Sequence, residues 1–394
     1  MARPGDNFAI QVQTLFDGES FMQNCGVLIE DGRIIDVLPS AELPENFDIQ
    51  LMTEGILAPG FVDLQVNGGG GVMLNEVPTQ TTVNTMAAAH RTRGTTAMTP
   101  TVISDTREVQ QAAIEAVVKA RAAGHPGILG VHIEGPFFDR DKRGAHRAGF
   151  IRRPMAEDIE WLCSLNGLPV IITLAPEHAL PGQIRQLTQA GLHVCAGHTN
   201  ASYEQINTAI TEGLQGFTHL FNAMSPLSSR APGTVGAALD NEDTWVGVIA
   251  DGHHIHPASI RIAHRAKAAD KLFLVTDAMA TVGSDDTAFE IHGTRIEAQE
   301  GRLVNAQGVL AGSAIGMIDA VRIANTEVGL PLAECLRMAS LIPATFLSLD
   351  NELGRIASGY RADLVHFDND FNVHNTWVCG AHRAHRHNQE SPPG

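Results

Sequence analysis

The sequence predicts an α/β fold, in which a (β/α)8 barrel is joined to a small β-sandwich domain formed by the N- and C-terminal segments. From Gly60 onward, short apolar strands alternate with helical stretches, and this central region contains eight strand candidates. Strand-like alternation with glycine-rich turns occurs at both ends of the 394-residue chain. Alternating strands and helices indicate a parallel sheet, and eight such units over about 250 residues are typical of a closed barrel.

The eight predicted barrel strands are short apolar runs. They read GFVDLQV, TTAMTPTV, GILGVHIE, PVIITLAP, LHVCAGHT, GFTHLF, WVGVIAD and KLFLVTD. Between them, stretches such as TTVNTMAAAHRTRG place apolar residues at helical spacing and close with glycine. Because barrel enzymes build their sites at the carboxyl ends of the strands, polar residues at those ends become the candidates for function.

The two ends of the chain predict the small β-domain. Asp31-Gly32 between two apolar runs in GVLIEDGRIIDVLP is a strong hairpin signal. We expect the domain to comprise residues 1–56 and 354–381, with the barrel over 57–353. The tail from 382 to 394, HRAHRHNQESPPG, lacks apolar periodicity and is predicted to be disordered. Its histidines are assigned no role.

Composition excludes several classes of function. A formal charge of −17 argues against a surface for nucleic acid, because such binding depends on clustered Lys and Arg. The five cysteines are scattered, odd in number and never in a CxxC pair, which favours a reducing cytoplasm over a disulfide framework or a thiolate metal site. No apolar run approaches the roughly 20 residues that span a bilayer, and we expect neither export nor membrane insertion.

Four polar residues stand at the ends of separate predicted strands: Glu134, His198, His219 and Asp277. Two imidazoles and one carboxylate form a three-ligand set that leaves a metal such as zinc an open position for water. Asp277 is then placed to accept a proton from that water. A single histidine at a strand end is more often structural, but four residues converging on one ring favour catalysis.

These residues lie in the motifs GFVDLQVNG, HIEGPF, AGHTNA, THLFNAM, ADGHH and VTDAM. Together the motifs resemble the amidohydrolase superfamily and, within it, the N-acetylglucosamine-6-phosphate deacetylase family, from about residue 8 to 380. Most amidohydrolases carry an HxH pair at the end of the first strand, where this chain has Gln65 and Asn67. Amides are poor metal ligands, so we expect one metal rather than two. Alternatively, both amides merely satisfy backbone groups at a strand end.

The resemblance also implies the residues that contact substrate. It assigns Arg230, His254, Asn222 and the backbone of Ala223 to the phosphate of the substrate, with Arg230 and His254 presented by the neighbouring subunit of a homodimer. It places Ala145 and His146 against the sugar, with His146 also near the carbonyl oxygen, Gln65 and Asn67 in the substrate site, and Met317 in a lid segment, LAGSAIGM. Arg230 could equally be a solvated loop charge, His146 an ordinary loop histidine and Met317 core packing, and His253 and His256 compete with His254 for its role.

The function implied is metal-dependent deacetylation of N-acetyl-D-glucosamine 6-phosphate to D-glucosamine 6-phosphate and acetate, with one divalent metal per subunit. Zinc is expected, with Fe²⁺, Co²⁺ or Mn²⁺ as alternatives. Other candidates are deacetylation of N-acetylgalactosamine 6-phosphate, another amidohydrolase reaction, or a non-catalytic sugar-phosphate sensor or scaffold. A sensor would be expected to lose metal ligands or the base, whereas this chain keeps all four residues.

Overall fold

The computed structural model describes residues 7–385. These residues begin with four strands, β1 (Phe8–Phe16), β2 (Phe21–Glu30), β3 (Arg33–Pro39) and β4 (Asp48–Pro59). Strands β2 and β3 pair antiparallel with Glu30 opposite Arg33. Asp31 and Gly32 between them have φ of 49° and 76°, the positive angles that a tight two-residue hairpin requires. The predicted hairpin is confirmed.

All eight predicted barrel strands are present and follow one another around a parallel sheet. In chain order the strands of this region are β5 (Phe61–Val66), β6 (Gly68–Gly69), β7 (Val72–Met73), β8 (Thr95–Ile103), β9 (Val131–Glu134), β10 (Val170–Leu174), β11 (His193–Ala196), β12 (Gly216–Phe217), β13 (Trp245–Ile249) and β14 (Leu272–Val275). The short strands β6 and β7 form a separate hairpin whose turn is Gly70-Gly71, and both of these glycines have positive φ.

The barrel closes between its last and first strands. Beyond β14, the backbone N–H of Asp277 donates to the carbonyl of Gln65 at 2.9 Å, and that of Asn67 donates to the carbonyl of Ala278 at 2.9 Å. These bonds bring the end of β14 beside the end of β5. The predicted (β/α)8 fold is confirmed, and its closing seam lies at three of the positions singled out in the sequence, Gln65, Asn67 and Asp277.

In the described part of the chain, ten α-helices pack around the barrel: α1 (Gln80–Arg91), α2 (Arg107–Ala122), α3 (Ala156–Ser164), α4 (Gln183–Gln189), α5 (Tyr203–Thr211), α6 (Gly233–Asp240), α7 (Pro257–Ala266), α8 (Met317–Thr326), α9 (Leu332–Ala339) and α10 (Leu341–Phe346). Short 3-10 turns cover Ser40–Glu42, Arg140–Lys142 and Pro176–His178. Helix α2 buries Ala113, Ala116, Val117 and Ala120, which recur at helical spacing. Within residues 7–385, no helix has both the length and the apolar character needed to cross a membrane.

A three-stranded antiparallel sheet follows the barrel and was not predicted from the sequence. It contains β15 (Ala288–Ile291), β16 (Thr294–Gln299) and β17 (Arg302–Asn305). Its two turns are His292-Gly293 and Glu300-Gly301, and all four of these residues have positive φ, between 50° and 79°. The sheet packs Ile291, Ile296 and Leu303 against Met73, Ile103 and Met279 at the carboxyl end of the barrel.

The C-terminal strands complete the small β-domain. Strands β18 (Leu364–Phe367), β19 (Val373–Val378) and β20 (Ala381–Ala384) join the N-terminal strands in one seven-stranded sheet of order β20-β19-β18-β4-β1-β2-β3. The prediction of a disordered tail from residue 382 is wrong for His382–Ala384, because these residues pair with β19 through backbone hydrogen bonds. The rest of that predicted tail, from residue 386 onward, lies outside the described residues.

The core of this domain gives a stability prediction on strand β4. Leu57 is 0% exposed and packs with Ile10, Val27 and Trp377, whereas Leu51 on the same strand is 60% exposed. We expect Leu57→Ala to lower the free energy of unfolding by about 2–5 kcal/mol, since it removes buried apolar contacts and leaves a cavity. Urea titration measures this change.

Leu51→Ala is the matched control and is expected to change the free energy of unfolding by less than about 0.5 kcal/mol. Equal losses for both variants would mean that the packing of Leu57 contributes nothing beyond strand propensity.

Candidate active site

The four convergent residues lie together at the carboxyl ends of the barrel strands. Glu134 is the last residue of β9, and His198, His219 and Asp277 each stand two residues beyond β11, β12 and β14. All four are buried, with exposed fractions between 2% and 9%. The strand-end rule therefore located these residues correctly from the sequence alone.

The backbone at these positions is unusual. His198, His219 and Asp277 have φ of 49°, 36° and 52°, in the left-handed region that residues other than glycine seldom adopt. Such conformations persist where surrounding structure enforces them, and they concentrate at functional sites. Here each one turns a side chain back over the mouth of the barrel.

Three of the side chains present donor atoms to a common point. Nε2 of His198 lies 3.3 Å from Oε1 of Glu134, Nε2 of His219 lies 3.1 Å from the same oxygen, and the two nitrogens lie 3.1 Å apart. A tetrahedral site with bonds of about 2.1 Å separates its donor atoms by roughly 3.4 Å. The triangle is thus close to the size that a zinc-like ion requires, and its donor types suit that ion.

The imidazole of His198 is oriented for this role by its other nitrogen. Its Nδ1 is 2.8 Å from the carbonyl oxygen of Lys142, which accepts a hydrogen bond and leaves the Nε2 lone pair for a ligand.

The loop that follows His198 is held by Glu177. This carboxylate accepts hydrogen bonds from the Thr199 hydroxyl at 2.5 Å and from the Asn200 backbone at 2.6 Å. Glu177 lies beside Asp139 and His178, but its two oxygens are occupied in holding the loop that carries His198.

Burial and charge set the protonation of the cluster. Burial alone would raise the pKa of Glu134, but its contacts with the imidazoles of His198 and His219 hold that pKa well below its usual range. Burial lowers the pKa of His198. For His219, burial is outweighed by the hydrogen bond to Glu134, followed by the charges of Glu134 and Asp277, and its pKa is raised. Glu134 is therefore an anionic donor at neutral pH.

Asp277 differs from Glu134 although both are buried. Burial, followed by the neighbouring charge of Glu134, raises the pKa of Asp277 to about 6. A carboxyl group whose pKa lies near the working pH can both accept and release a proton. This property fits the acid–base role predicted for Asp277.

The amides that replace the usual HxH pair contact the two carboxylates. The side-chain nitrogen of Gln65 donates to Oε1 of Glu134 and to Oδ1 of Asp277, both at 3.1 Å, and that of Asn67 donates to Oδ1 of Asp277 at 2.6 Å. The sequence offered two alternatives for these amides: they replace the ligands of a second metal, or they satisfy backbone groups. The structure shows a third feature, hydrogen bonds from both amides to carboxylate side chains. The amides orient the carboxylates.

His146 is placed against the cluster with a defined tautomer. Its Nδ1 lies 2.9 Å from the hydroxyl of Ser104 and accepts from the Ser104 backbone N–H at 3.4 Å, which assigns the proton to Nε2. Burial, followed by the charge of His198, lowers the pKa of His146 to about 3, and the ring is neutral. The sequence did not single out Ser104, although it directly follows β8 and the strand-end rule could have found it.

A cavity of about 190 Å³ opens over the cluster. It is lined by the four convergent residues and by six of the residues assigned to substrate, namely Asn67, Ala145, His146, Asn222, Ala223 and His254. Ile291 from the inserted sheet and Leu310–Gly312 from the predicted lid segment also line it. His254 is held there by a 2.6 Å contact between its Nδ1 and Asp251.

Three of the predicted substrate residues do not line this cavity, and a fourth lines the cavity of its own chain instead of that of a neighbouring subunit. Gln65 lies beneath it, Arg230 is exposed away from it, and Met317 is 0% exposed within the barrel core, which favours the packing alternative for Met317. His254 lines the cavity of its own chain, because the loop after β13 carries it over the barrel mouth. The expectation that a neighbouring subunit supplies His254 is therefore corrected.

The sequence also missed the contact that fixes the inserted sheet. Nε2 of His292 lies 2.8 Å from Asp105, which also accepts a hydrogen bond from Asn75 at 2.9 Å. Asp105 follows Ser104 at the end of β8, and His292 follows Ile291. This contact connects the strand end that orients His146 to the sheet that lines the cavity.

Comparison with known proteins gives consistent matches. The amidohydrolase family profile matches residues 56–382. The chain is 45% identical over 362 residues to an N-acetylgalactosamine-6-phosphate deacetylase of Shewanella sp. (strain ANA-3), covering 91% of each chain. It is 36% identical over 357 residues to an N-acetylglucosamine-6-phosphate deacetylase of Haemophilus influenzae, covering 90% of this chain and 93% of that one. The crystal structure of the N-acetylglucosamine-6-phosphate deacetylase of Pasteurella multocida superposes with a TM-score of 0.93 at 36% identity, over 96% of this chain and 100% of that one.

The donor triangle gives a prediction that does not depend on activity. We expect one tightly held divalent metal per chain, and we expect His219→Asn to lose most of it, because two donors remain where three converge. Elemental analysis of the purified protein measures the stoichiometry. His264→Asn, a change in α7 away from the site, should keep the full amount. Two equally occupied metals in the unaltered protein would contradict the expected role of Gln65 and Asn67.

Proposed function

The chain belongs to the amidohydrolase family, and from this premise we propose that it hydrolyses N-acetyl-D-glucosamine 6-phosphate to D-glucosamine 6-phosphate and acetate in amino-sugar catabolism. The observation that carries the proposal is the convergence of Glu134, His198 and His219 beside Asp277 in one lined cavity. Relatives that cover nine-tenths of the chain are named as deacetylases of N-acetylhexosamine 6-phosphates.

Glu134, His198 and His219 would hold a divalent metal, and we propose zinc because two imidazoles and one carboxylate are a common catalytic zinc set. When bound, such a metal supplies Lewis acidity that lowers the pKa of water from near 16 to roughly 7. The buried position of the three ligands keeps their donor atoms fixed and protects them from competing solvent.

Asp277 moves the proton in this mechanism. Its Oδ1 is occupied by the amides of Gln65 and Asn67, and within residues 7–385 no hydrogen bond reaches Oδ2. Oδ2 is thus free to take a proton from the attacking water and deliver it to the leaving nitrogen, which must be protonated because an amide anion is too basic to depart. A pKa raised to about 6 suits both steps.

His146 acts on the carbonyl oxygen. Because its Nδ1 accepts from Ser104, its Nε2–H is the donor available to the cavity. A neutral donor strengthens its hydrogen bond as negative charge develops on that oxygen, and contributions of this kind are worth about 2.7–4 kcal/mol in other hydrolases. Burial keeps the ring neutral at working pH.

Phosphate recognition is assigned to His254, Asn222 and Ala223 in the cavity and to Arg230 from a neighbouring subunit. Arg230 is exposed, lies outside the cavity of its own chain and forms no ion pair with any residue from 7 to 385. A homodimer would bring this cation to the partner's site, where its planar fork suits a phosphate. The cytoplasm is proposed as the location, in keeping with five free thiols.

The 45% identity to the Shewanella enzyme favours a second candidate, N-acetylgalactosamine 6-phosphate. The two sugars differ only in the configuration of one hydroxyl, so the same metal, base and phosphate contacts serve both. Amine release from both phosphorylated epimers and from their unphosphorylated forms, with bound metal counted on the same sample, decides between them. Failure to turn over either phosphate ester would contradict the proposed function.

Asp277→Asn is expected to lower kcat by about 10²–10⁴-fold, because an amide cannot accept the proton of the water. The variant should keep its metal, since the three ligands remain. In the unaltered enzyme, kcat/KM should fall with decreasing pH through about 6, or lower once a cation is bound, because protonated Asp277 is no longer a base. Near-normal turnover by Asp277→Asn would remove this residue from its role.

Arg230→Ala is expected to raise KM for the phosphorylated sugar by roughly ten- to a hundredfold, since a charge-assisted contact is lost. KM for the unphosphorylated sugar should change little, and steady-state kinetics on both substrates measures the difference. Equal losses for the two sugars would show that Arg230 supports the subunit contact or the fold rather than the phosphate.

A further inference from the structure

A second cavity, of about 350 Å³, lies at the opposite end of the barrel from the catalytic cluster. It is enclosed by α1, the first residues of β8, the turn at Gly124–Gly127 and the last two strands of the small β-domain. Strand β8 runs from Thr95 in this cavity to Ile103 in the catalytic one, a distance of about 26 Å for a strand of this length. The residues of the two cavities do not overlap.

Two arginines line this cavity. The buried carboxylate of Asp363 attracts Arg91 electrostatically but forms no ion pair with it. Arg91 is half-buried and donates from Nε to the Thr376 hydroxyl at 2.9 Å, from Nη2 to the Thr376 carbonyl at 3.1 Å, and to the carbonyl of Ala381. Arg383 donates to the carbonyl of Ala88 at 3.4 Å. Within residues 7–385 neither guanidinium forms an ion pair, although the chain has 44 acidic residues. A charge that is partly removed from water, as that of Arg91 is, is normally paired, and the exposed Arg383 adds a second cation at the same cavity. Together the two arginines favour an anionic ligand.

Two polar groups on the same wall also lack a partner. The hydroxyl of Thr95, a residue only 3% exposed, and the buried Nδ1 of His125 form no hydrogen bond within the described part of the chain. Buried polar atoms are rarely left unsatisfied, and an unsatisfied one costs about 1–3 kcal/mol. Both groups line the cavity that the arginines face.

The rest of the wall is apolar and small, with Ala87, Ala97, Met98 and Val378 among its residues. A dianion such as phosphate would be costly to desolvate against such a wall, whereas a carboxylate on a compact apolar body leaves its charge with the arginines. The volume lies within the range of about 300–1,000 Å³ that is usual for small-molecule sites.

We propose that this cavity is a binding site for a small organic carboxylate, whose anionic group contacts Arg91, Arg383 and the Thr95 hydroxyl. Its apolar body packs against the alanines and Met98. Because the ligand would contact both the barrel and the small β-domain, binding also stabilises the junction between them. The site is independent of the catalytic residues and of the proposed function.

Isothermal titration of the full chain with benzoate tests the proposal, with benzamide as a neutral isostere and inorganic phosphate as a second anion. We expect benzoate to bind one per chain and benzamide to bind at least about tenfold more weakly, because only the anion satisfies the arginines. Benzoate should also slow alkylation of Cys379, which lines the cavity, relative to Cys163, which does not.

Two variants locate the site. Arg383→Ala, a change at an exposed residue, should weaken benzoate binding by about tenfold, and Ala88→Leu should abolish it by filling the cavity. Arg230→Ala removes an arginine near the other end of the barrel and should leave benzoate affinity unchanged. Circular dichroism and deacetylase turnover of Arg383→Ala and Ala88→Leu should match those of the unaltered protein.

Absence of benzoate binding at millimolar concentration would overturn the proposal, as would binding that Arg383→Ala does not weaken. Preferential binding of phosphate that is lost in Arg230→Ala and kept in Arg383→Ala would place the anion in the catalytic site instead. If Ala88→Leu fails to fold, the benzoate affinity of Arg383→Ala and the alkylation rate of Cys379 decide whether benzoate binds in this cavity. Loss of turnover in a normally folded Arg383→Ala would contradict the independence of this cavity from the catalytic residues.

Discussion

One carboxylate oxygen, Oε1 of Glu134, is the point on which the rest of the site depends. It lies within 3.3 Å of the Nε2 atoms of His198 and His219 and accepts a hydrogen bond from Gln65. These residues belong to the ends of four different strands, so only a closed barrel with the correct register brings them together. The hydrogen bonds across the closing seam, including that from Asp277 to the Gln65 carbonyl, therefore have a direct chemical consequence. A one-residue shift in β5 would turn Gln65 away from the cluster.

The two carboxylates of the site are distinguished by their neighbours. Glu134 contacts two imidazoles and remains ionised, while burial, followed by the charge of Glu134, gives Asp277 a raised pKa. Gln65 and Asn67 contact Asp277 without adding charge, so they orient one of its oxygens and leave the other for proton transfer. Imidazoles at these two positions would bring further metal ligands toward Asp277 and compete with its role as a base. The amides would thus account for both the single metal proposed here and a free base.

Much of this arrangement could be predicted from the sequence because barrel strands are buried on both faces and read as short apolar runs. The residues just beyond those runs must lie at one end of the barrel. This rule placed Glu134 and Asp277 in the candidate site from the sequence alone. The contacts among rim residues could not be predicted, since they depend on side-chain directions and on the distances across the barrel mouth. The bond from Ser104 to His146 is one example. The inserted sheet was not predicted because its strands are short and partly exposed. Met317 was assigned to a lid because its small neighbours suit a lid and a core equally.

Three ligands are expected to hold one metal while the amides of Gln65 and Asn67 orient Asp277. Anomalous diffraction from crystals of the metal-loaded protein, collected above and below the absorption edge of the metal, measures both features. We expect a single anomalous peak within bonding distance of Glu134, His198 and His219, with Gln65 and Asn67 still hydrogen-bonded to Asp277. A second peak of similar height beside Gln65 and Asn67 would contradict this expectation.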